Sequence, residues 1–436
     1  MSSRSLVDFA AAAFRDHPGP ALVRDDPGRR DVSAADLDRG SLELAAALVT
    51  YGLEPGSRVA VLTDVGEELL LGFLAVIRAG ATLVPLEPGD AGNGLLDVLR
   101  DTSARQILVS DETLLDRILS IRPDLPALDL VLLFREAGED RAAALTVAGA
   151  RAVGANALER SPDLLTRPAE EGAGAPAMLL HGGLAGIPLT HANVLAAADS
   201  VAAALRIERG ATVLSSISAQ SATHLALSLA CLARGAKLAH VSRADGMGAA
   251  LAGVRPQLAV LPRSLAGALR THLELATGAT SWLGKRLLRF ALRQGERRSE
   301  AELLAGRLPS ATTWGWRVAD LLVIRRIREA LGGRLTGLVS LGEPLPVAEC
   351  LFLLHLGVPF LEGLAFPEAG GLVAVGQPDG LRAGTVGRLV SGLEARSGED
   401  GALELRGPTV PGGGWRRVPF RGRFDGDGYL SGSFMI

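Results

Sequence analysis

The apolar residues of this chain fall into short runs that alternate with stretches of helical periodicity. Val59–Leu62 and Thr82–Leu86 are largely apolar runs of strand length. Between them, Glu67–Ala79 has the apolar spacing of a helix, and Gly80 follows as a C-cap signal. A strand, a helix and a second strand in this order form a βαβ unit, whose two strands are parallel. The pattern therefore predicts an α/β fold with mainly parallel sheets.

A second unit of this kind surrounds a glycine-rich turn. The apolar run Ala177–Leu180 predicts a buried strand, and Ala192–Leu205 has the spacing of a helix. Gly182, Gly183 and Gly186 lie between them. A strand, a glycine-rich turn and a helix can cradle a phosphate, because glycine lets backbone N–H groups approach an anion closely. Such turns are also common without a ligand, so the spacing alone leaves both interpretations open.

After residue 384 the helical spacing gives way to short strands and turns. Thr385–Arg388, Leu393–Ala395 and Ala402–Pro408 each have strand length, which predicts a small C-terminal β-barrel. Glu139–Gly174 is rich in Ala, Gly, Arg and Glu and is predicted to be a loose connector. The expected organisation is an α/β subdomain over 1–175, a second one over 176–383 with a basic helical insert at 281–334, and the barrel over 384–436.

Composition narrows the class of protein. The chain has 436 residues, is 48% hydrophobic and carries a net charge of −3, which does not favour nucleic acid as a partner. Its two cysteines, Cys231 and Cys350, lie in apolar helical runs and are expected to be small core residues. The N-terminus lacks the features of a signal peptide, and no apolar run reaches the roughly 18–20 residues of a membrane span. A cytoplasmic protein is expected.

The basic residues have an unusual distribution. Only two of the 45 are lysines, Lys237 and Lys285. Within 281–334, Lys285, Arg289 and Arg293 recur at helical spacing, and a second predicted helix carries further outward arginines. These helices can simply be solvated. The alternative is a basic surface for an anionic membrane or for an acidic acyl carrier protein.

The glycine-rich stretch resembles the phosphate loop of the adenylate-forming enzymes, the AMP-binding and acyl-CoA synthetase superfamily. The end of the family motif is present as Gly186, followed by Leu189-Thr190-His191. The hydroxyl-rich core of the family loop is replaced by Leu179-Leu180-His181-Gly182-Gly183, and the family's Pro-Lys falls on Leu184-Ala185. A triphosphate needs donors and a cation, so the resemblance implies a damaged loop.

Further landmarks of the family follow in the expected order. The sequence of Leu53–Pro85 resembles that of the N-terminal part of acyl-CoA synthetases. Leu331–Leu335 and Val339–Pro346, the second of which includes Gly342, Glu343 and Pro344, resemble the long-chain fatty acyl-CoA synthetase branch. The resemblance thus implies the N-terminal portion of an adenylate-forming enzyme and a fatty acyl ligand. The expected C-terminal lid domain does not follow Ile436 in this sequence.

Two family motifs of the nucleotide site are altered. The family's Gly-Tyr-Gly-Leu-Thr-Glu falls on Gly363–Glu368, where only the Gly and the Glu remain. By resemblance Glu368 is the candidate metal ligand. The family's Thr-Gly-Asp, whose aspartate binds the ribose, falls on Val418-Pro419-Phe420, and a phenyl ring cannot accept a hydrogen bond from a ribose hydroxyl.

The resemblance therefore implies a set of vestigial nucleotide-binding positions and no confident catalytic residue. These positions are His181, Gly182, Gly183, Gly186, Thr190, Gly342, Glu343, Pro344, Gly363 and Glu368. ATP or AMP with magnesium is expected only if the family activity persists. Because Leu341, Leu364 and Phe366 are apolar and lie in the altered motifs, they are the candidate lining of an acyl pocket.

Three functions remain open from the sequence. The first is a degenerate protein, a pseudoenzyme, that binds a fatty acid, an acyl thioester or a partner protein without adenylating on its own. The second is an active fatty acid–AMP or fatty acyl-CoA ligase completed by a separate lid. The third is a non-catalytic interaction subunit of an active synthetase. His224, on an Ala- and Leu-rich helix, is expected to be a packed core residue.

Overall fold

The computed structural model describes residues 5–23, 31–89, 93–135, 144–166, 172–181, 186–242, 247–277, 281–305, 310–377, 382 and 384–435. Three sheets organise the chain within these residues.

The first sheet has six strands in the order β6-β5-β3-β4-β7-β8. They are β3 Arg58–Leu62, β4 Thr82–Leu86, β5 Gln106–Val109, β6 Leu130–Leu133, β7 Pro176–Leu180 and β8 Ile187–Thr190. All neighbours are parallel except β7 and β8, which pair antiparallel across the glycine-rich turn. The βαβ rhythm of the sequence is confirmed here. The central strands β3 and β4 are buried almost along their whole length, since helices cover both faces of a parallel sheet.

The second sheet has nine strands in the order β15-β14-β13-β12-β11-β9-β10-β1-β2. They are β1 Pro20–Val23, β2 Val32–Ser33, β9 Thr212–Ser215, β10 Lys237–His240, β11 Leu258–Pro262, β12 Gly337–Leu341, β13 Phe360–Phe366, β14 Gly371–Val375 and β15 Arg388–Leu389. The six strands from β13 to β1 are parallel, and antiparallel strands complete both ends.

The third sheet is small and antiparallel. Its strands are β16 Glu394–Ser397, β17 Ala402–Arg406, β18 Arg416–Phe424 and β19 Leu430–Phe434, in sequence order. It is an open half-barrel and forms the small C-terminal β subdomain that the sequence predicted. The side chain of Asn193 joins it to the rest of the molecule by donating to the Pro408 carbonyl at 2.8 Å.

Fourteen α-helices lie in the described part of the chain. They are α1 Leu6–Asp16, α2 Ala34–Thr50, α3 Gly66–Arg78, α4 Asn93–Thr102, α5 Glu112–Ile121, α6 Val147–Arg160, α7 His191–Ala204, α8 Ala222–Arg234, α9 Met247–Val254, α10 Arg263–Ala276, α11 Trp282–Ala305, α12 Ser310–Ala319, α13 Arg325–Ala330 and α14 Val347–His355. A π-helical turn, Asp320–Ile324, joins α12 to α13. Among the described residues, no helix is both long and apolar enough to cross a bilayer.

The subdomain boundary placed at residue 175 stays a prediction. In the structure β1 and β2 pair into the second sheet, and β7 and β8 pair into the first. The predicted loose connector contains α6, whose N-cap is Thr146. Its buried contacts come from Val147, Ala150 and Gly154. Small residues give a weak apolar pattern, although they allow close approach to α2.

Candidate functional site

A cleft of about 420 Å³ lies where strands of the two large sheets end. The carboxyl ends of β4 and β7 reach it from the first sheet, and the end of β13 and the segment after β9 reach it from the second. Ligands of α/β proteins bind outside the carboxyl ends of parallel strands, where the loops diverge. The volume is within the range of small-molecule sites, about 300–1,000 Å³.

The lining combines apolar walls with neutral polar groups and one carboxylate. The described lining residues are Pro85, Leu86, Glu87, Val98, Leu180, His181, Ser218, Gln220, Ser221, Ala222, Thr223, Ala365, Phe366, Pro367 and Gly371. This set contains no lysine and no arginine, and its one carboxylate is that of Glu87.

The polar end of the cleft is a small hydrogen-bonded group. The Ser218 hydroxyl donates to the Glu87 carboxylate, and its Oγ also lies 3.1 Å from Oε1 of Gln220. Gln220 is only 7% exposed, and its Nε2 has no hydrogen-bond partner among the described residues. A buried amide group without a partner is costly, so this group is available to a bound molecule or to water.

Aromatic rings form one wall. Phe366, at the end of β13, is buried, and its ring packs against Phe420 of β18 and Phe434 of β19. The Phe420 and Phe434 rings meet edge to face at 5.7 Å, so the three rings form one aromatic cluster. Phe420 is the residue at which the resemblance places the ribose-binding aspartate. An aromatic contact between the half-barrel and the second sheet occupies that position here.

The glycine-rich stretch reaches the cleft through its first residue. His181 is exposed and lines the cleft together with Leu180. Gly182 and Gly183 lie outside the described residues. Gly186 leads into β8, away from the lining.

Thr190 serves the start of a helix. It is the N-cap of α7, where its hydroxyl donates to Asn193 Oδ1 at 2.8 Å and accepts from the Asn193 N–H at 3.2 Å. This capping box satisfies backbone groups at the helix N-terminus. Thr190 does not line the cleft. A role of Thr190 in nucleotide binding stays a prediction.

The predicted residues after β12 also lie outside the cleft lining. Gly342 has φ +131°, which favours glycine, and its N–H donates to the Gly363 carbonyl at 3.0 Å. Glu343 pairs with Arg263 at 3.3 Å, and Pro344 is half-buried next to it. At Gly363 a Cβ atom would lie 2.9 Å from Leu341 Cδ2, so this glycine permits close strand packing.

Glu368 stays a predicted metal ligand. Its Oε2 is buried and has no hydrogen-bond partner among the described residues, but the side chain does not line the cleft. No group of three His, Cys, Asp or Glu side chains among the described residues could hold an ion. Magnesium needs several oxygen ligands, and one carboxylate is sufficient only when a nucleotide phosphate supplies others.

The three acyl-pocket candidates have different environments. Phe366 lines the cleft, whereas Leu341 and Leu364 do not. Leu364 is fully buried in the main hydrophobic core, and Leu341 packs at the edge of the same core. Ala365, which the sequence analysis did not single out, is the other β13 side chain at the cleft.

A buried carboxylate that the sequence analysis missed lies on the same strand. Glu362 accepts a hydrogen bond from the Leu345 N–H at 2.6 Å, and burial raises the pKa of its carboxyl group. It therefore holds the segment after β12 against β13. The residue pattern around Glu362 in the sequence did not indicate that its side chain would hold the segment after β12.

His224 is packed in the core, as predicted. It is fully buried, its Nδ1 lies 2.9 Å from Ser215 Oγ, and its ring meets that of His240 at 4.6 Å. Burial holds the pKa of both imidazoles below the ordinary value, most strongly for His224. The Gly66 N–H donates to His240 Nδ1 at 3.2 Å, so the pair connects the start of α3 to the second sheet.

The cleft residues that sequence reasoning missed include Glu87, Ser218, Gln220 and Ala365, which come from three distant segments. Glu87 directly follows β4, and Ser218 and Gln220 follow β9. Polar residues just after predicted parallel strands were the available signal.

Comparisons with known proteins agree with this architecture. A family model described as AMP-binding enzyme matches residues 9–419. The long-chain-fatty-acid–CoA ligase FadD15 of Mycobacterium bovis is 28% identical over 400 residues, which cover 88% of this chain and 64% of the ligase. FadD15 of Mycobacterium tuberculosis is 27% identical with the same coverage. The chain thus spans less than two thirds of the length of these relatives.

Solved structures of acyl-CoA ligases share the fold. A long-chain-fatty-acid-CoA ligase (FadD1) from Archaeoglobus fulgidus gives a TM-score of 0.75 at 16% identity and covers all of this chain and 84% of its own. The inhibitor-bound N-terminal domain of FACL13 from Mycobacterium tuberculosis gives a TM-score of 0.74 at 16% identity, with 99% of this chain and all of that domain covered. The three-sheet architecture is therefore the one found in these ligases.

Proposed function

This chain belongs to the AMP-binding enzyme family, and we propose that it binds a fatty acyl ligand in the cleft between its two large sheets without adenylating that ligand on its own. The ligand is a fatty acid or an acyl thioester. The observation that carries the proposal is the lining of the cleft, which is mainly apolar, has Glu87 as its one described carboxylate and contains no lysine or arginine among the described residues.

The absence of lysine and arginine from the described lining residues argues against a triphosphate at this cleft. Phosphate oxygens are held in proteins by arginine, lysine, magnesium or converging N–H groups. The charged group among the described lining residues is the Glu87 carboxylate, which offers no counter-charge to the several negative charges of a triphosphate. Burying phosphate beside such a lining leaves charge without partners, which is strongly unfavourable.

The aromatic cluster supports the same conclusion at the ribose position. Phe420 is fully buried between Phe366 and Phe434, and its ring offers no acceptor to a hydroxyl group. Each lost charge-assisted hydrogen bond costs about 1.5–3 kcal/mol. The combined loss at the loop and at the ribose would reduce nucleotide affinity by orders of magnitude.

The apolar walls support an acyl ligand. Leu86, Ala365 and Phe366 offer hydrocarbon surface, and each methylene buried against such surface contributes about 0.8 kcal/mol. The named activity of the relatives, long-chain-fatty-acid–CoA ligation, supports the same class of ligand. We also propose a cytoplasmic location, as expected from the sequence. The proposed partner of residues 281–334 is an acyl carrier protein or an anionic membrane.

A second candidate function is an active fatty acid–AMP or fatty acyl-CoA ligase. The similarity to FadD15 over 400 residues favours it. Such an enzyme would need a separate lid and phosphate contacts supplied by groups other than the described lining residues.

The test combines a filled cleft with two ligand series. Ala365→Trp places a large ring in the cleft, whereas Val347→Trp adds the same ring on the exposed side of α14. Native mass spectrometry with fatty acids and acyl-CoAs of increasing length should show binding that strengthens up to about fourfold per methylene. Ala365→Trp should abolish this binding and Val347→Trp should retain it.

Calorimetry with Mg-ATP separates the two candidate functions. We expect no affinity in the low micromolar range. Micromolar ATP binding would overturn the proposal in favour of the ligase. If no acyl ligand of any length binds, the acyl-binding function is wrong and an interaction subunit takes its place.

A further inference from the structure

The helical region 281–334 differs in charge from the rest of the chain. It contains twelve basic and five acidic residues, whereas the whole chain has a net charge of −3. The excess of positive charge is therefore a property of this region and not of the whole chain. Within this region, α11 contacts α12 and the π-helical turn, so these helices form one layer.

The outer side of α11 carries a stripe of arginines. Arg286, Arg289 and Arg293 are exposed and recur at intervals of three and four residues, which places them on one side of the helix. None of the three forms an ion pair with a described carboxylate. We call these three residues the arginine stripe. Its cations are available to an external anion.

Large apolar side chains are exposed in the same helical layer. Trp282 is 71% exposed at the start of α11, and the Arg286 guanidinium lies over its ring at 5.6 Å. Trp314 on α12 is 72% exposed, and Leu321, seven residues later, is 68% exposed. Half of the four tryptophans of the chain are thus presented to solvent in this one region. A charged helix surface that only contacts water does not require exposed tryptophan and leucine side chains.

We propose that this helical layer binds an anionic lipid surface, with the arginine stripe contacting lipid phosphates and Trp282, Trp314 and Leu321 entering the headgroup region. The combination of basic residues with exposed Trp and Leu on helices is the chemistry of interfacial membrane binding. A surplus of positive charge on a chain that is negative overall is complementary to anionic lipid.

The charge contribution is tested by vesicle co-sedimentation without any acyl ligand. The probes are vesicles of phosphatidylcholine and vesicles of phosphatidylcholine mixed with phosphatidylglycerol. The wild-type protein should bind the anionic vesicles, less so at high salt, and should ignore the neutral ones. The triple variant Arg286→Gln, Arg289→Gln, Arg293→Gln should bind about a hundredfold more weakly, since each arginine near the surface contributes roughly a factor of five.

A second triple variant controls for total charge. Arg160, Arg209 and Arg423 are exposed arginines outside the layer, and their replacement by Gln removes the same three charges. This variant should bind anionic vesicles almost as the wild type does. Equal losses in the two triple variants would overturn the proposal, because attraction would then come from overall charge.

The apolar contribution has its own pair of variants. Trp314→Ser with Leu321→Ser should remove the binding that persists at high salt, and quenching of tryptophan emission by brominated lipid should fall with it. Leu145→Ser, at a leucine that is 48% exposed elsewhere, should change neither.

A wild-type protein that ignores anionic vesicles but binds an acidic carrier protein would overturn the membrane assignment. Because no acyl ligand is present, either result leaves the proposed function to be decided separately.

Discussion

The rings of Phe366 and Phe420 lie 6.0 Å apart, centroid to centroid, with their planes at 60°. This edge-to-face contact joins the last strand segment before the cleft to the half-barrel. Phe366 belongs to the lining and Phe420 to the position where the resemblance places a ribose-binding aspartate. The contact therefore stabilises the fold and at the same time gives the cleft an apolar wall.

The first prediction concerns this contact. Phe420→Ala should lower the free energy of unfolding by about 3–5 kcal/mol, because it leaves a cavity between three strands. Phe424→Ala, on the same strand but 37% exposed, should lower it by less than about 1 kcal/mol. Urea denaturation of both variants measures the difference. Equal losses would show that the aromatic cluster has no special part in stability.

The second prediction concerns Gln220 and rests on the proposed function. Its Nε2, which has no partner among the described residues, should donate to the polar head of an acyl ligand, so Gln220→Leu should weaken binding by about tenfold. The gain in affinity per methylene should stay the same, since the apolar walls are unchanged. Titration of fatty acids of several lengths checks both statements. A variant that binds every length as the wild type does would exclude Gln220 from the site.

The third prediction is a pH dependence of stability that originates at His191. This buried side chain accepts a hydrogen bond from the Leu6 N–H at 3.2 Å, and burial lowers its pKa to about 4. In the unfolded chain its pKa is about 6.5. Stability is therefore fully present above about pH 6.5 and is lost as the pH falls towards 4, by up to about 3 kcal/mol in total.

Urea denaturation at several pH values in this range tests the third prediction. His191→Gln should be less stable at neutral pH but should show a shallower loss on acidification. Replacing the exposed His181 by Gln controls for the removal of one imidazole. Part of the slope should remain, because burial also lowers the pKa of His224 and His240. An unchanged slope in His191→Gln would contradict the assignment.

The fourth prediction concerns the close approach of α2 and α6. A Cβ atom at Gly154 would collide with the backbone carbonyl of Glu43, which cannot move without displacing α2. Gly154→Ala should therefore destabilise the protein by about 1–3 kcal/mol or more. Gly253→Ala, in α9, meets no atom within 4 Å and should instead stabilise by up to about 1 kcal/mol. Thermal unfolding of the two variants should show shifts of opposite sign.

The sequence by itself determined the kind of fold, because local periodicity sets secondary structure and the order of elements sets the sheet type. The apolar runs at Val59–Leu62 and Thr82–Leu86, with a helix between them, were sufficient to predict parallel pairing. The order of family landmarks predicted the three-sheet architecture, and comparison with known ligases confirmed it. The sequence pattern did not predict helix α6, since two of its three buried residues are Ala150 and Gly154, which contribute little to an apolar pattern.

Only the tertiary structure decided which residues meet at the cleft. Glu87 and Ser218 are 131 positions apart and become neighbours because their strands end at the same place in two different sheets. On β13, strict alternation would place Leu364 and Phe366 on one side. The register shifts between Leu364 and Ala365, so Ala365 and Phe366 reach the cleft while Leu364 enters the core. A β-bulge of this kind changes the direction of side chains and depends on pairing with a neighbouring strand. The apolar pattern of β13 alone therefore does not predict it.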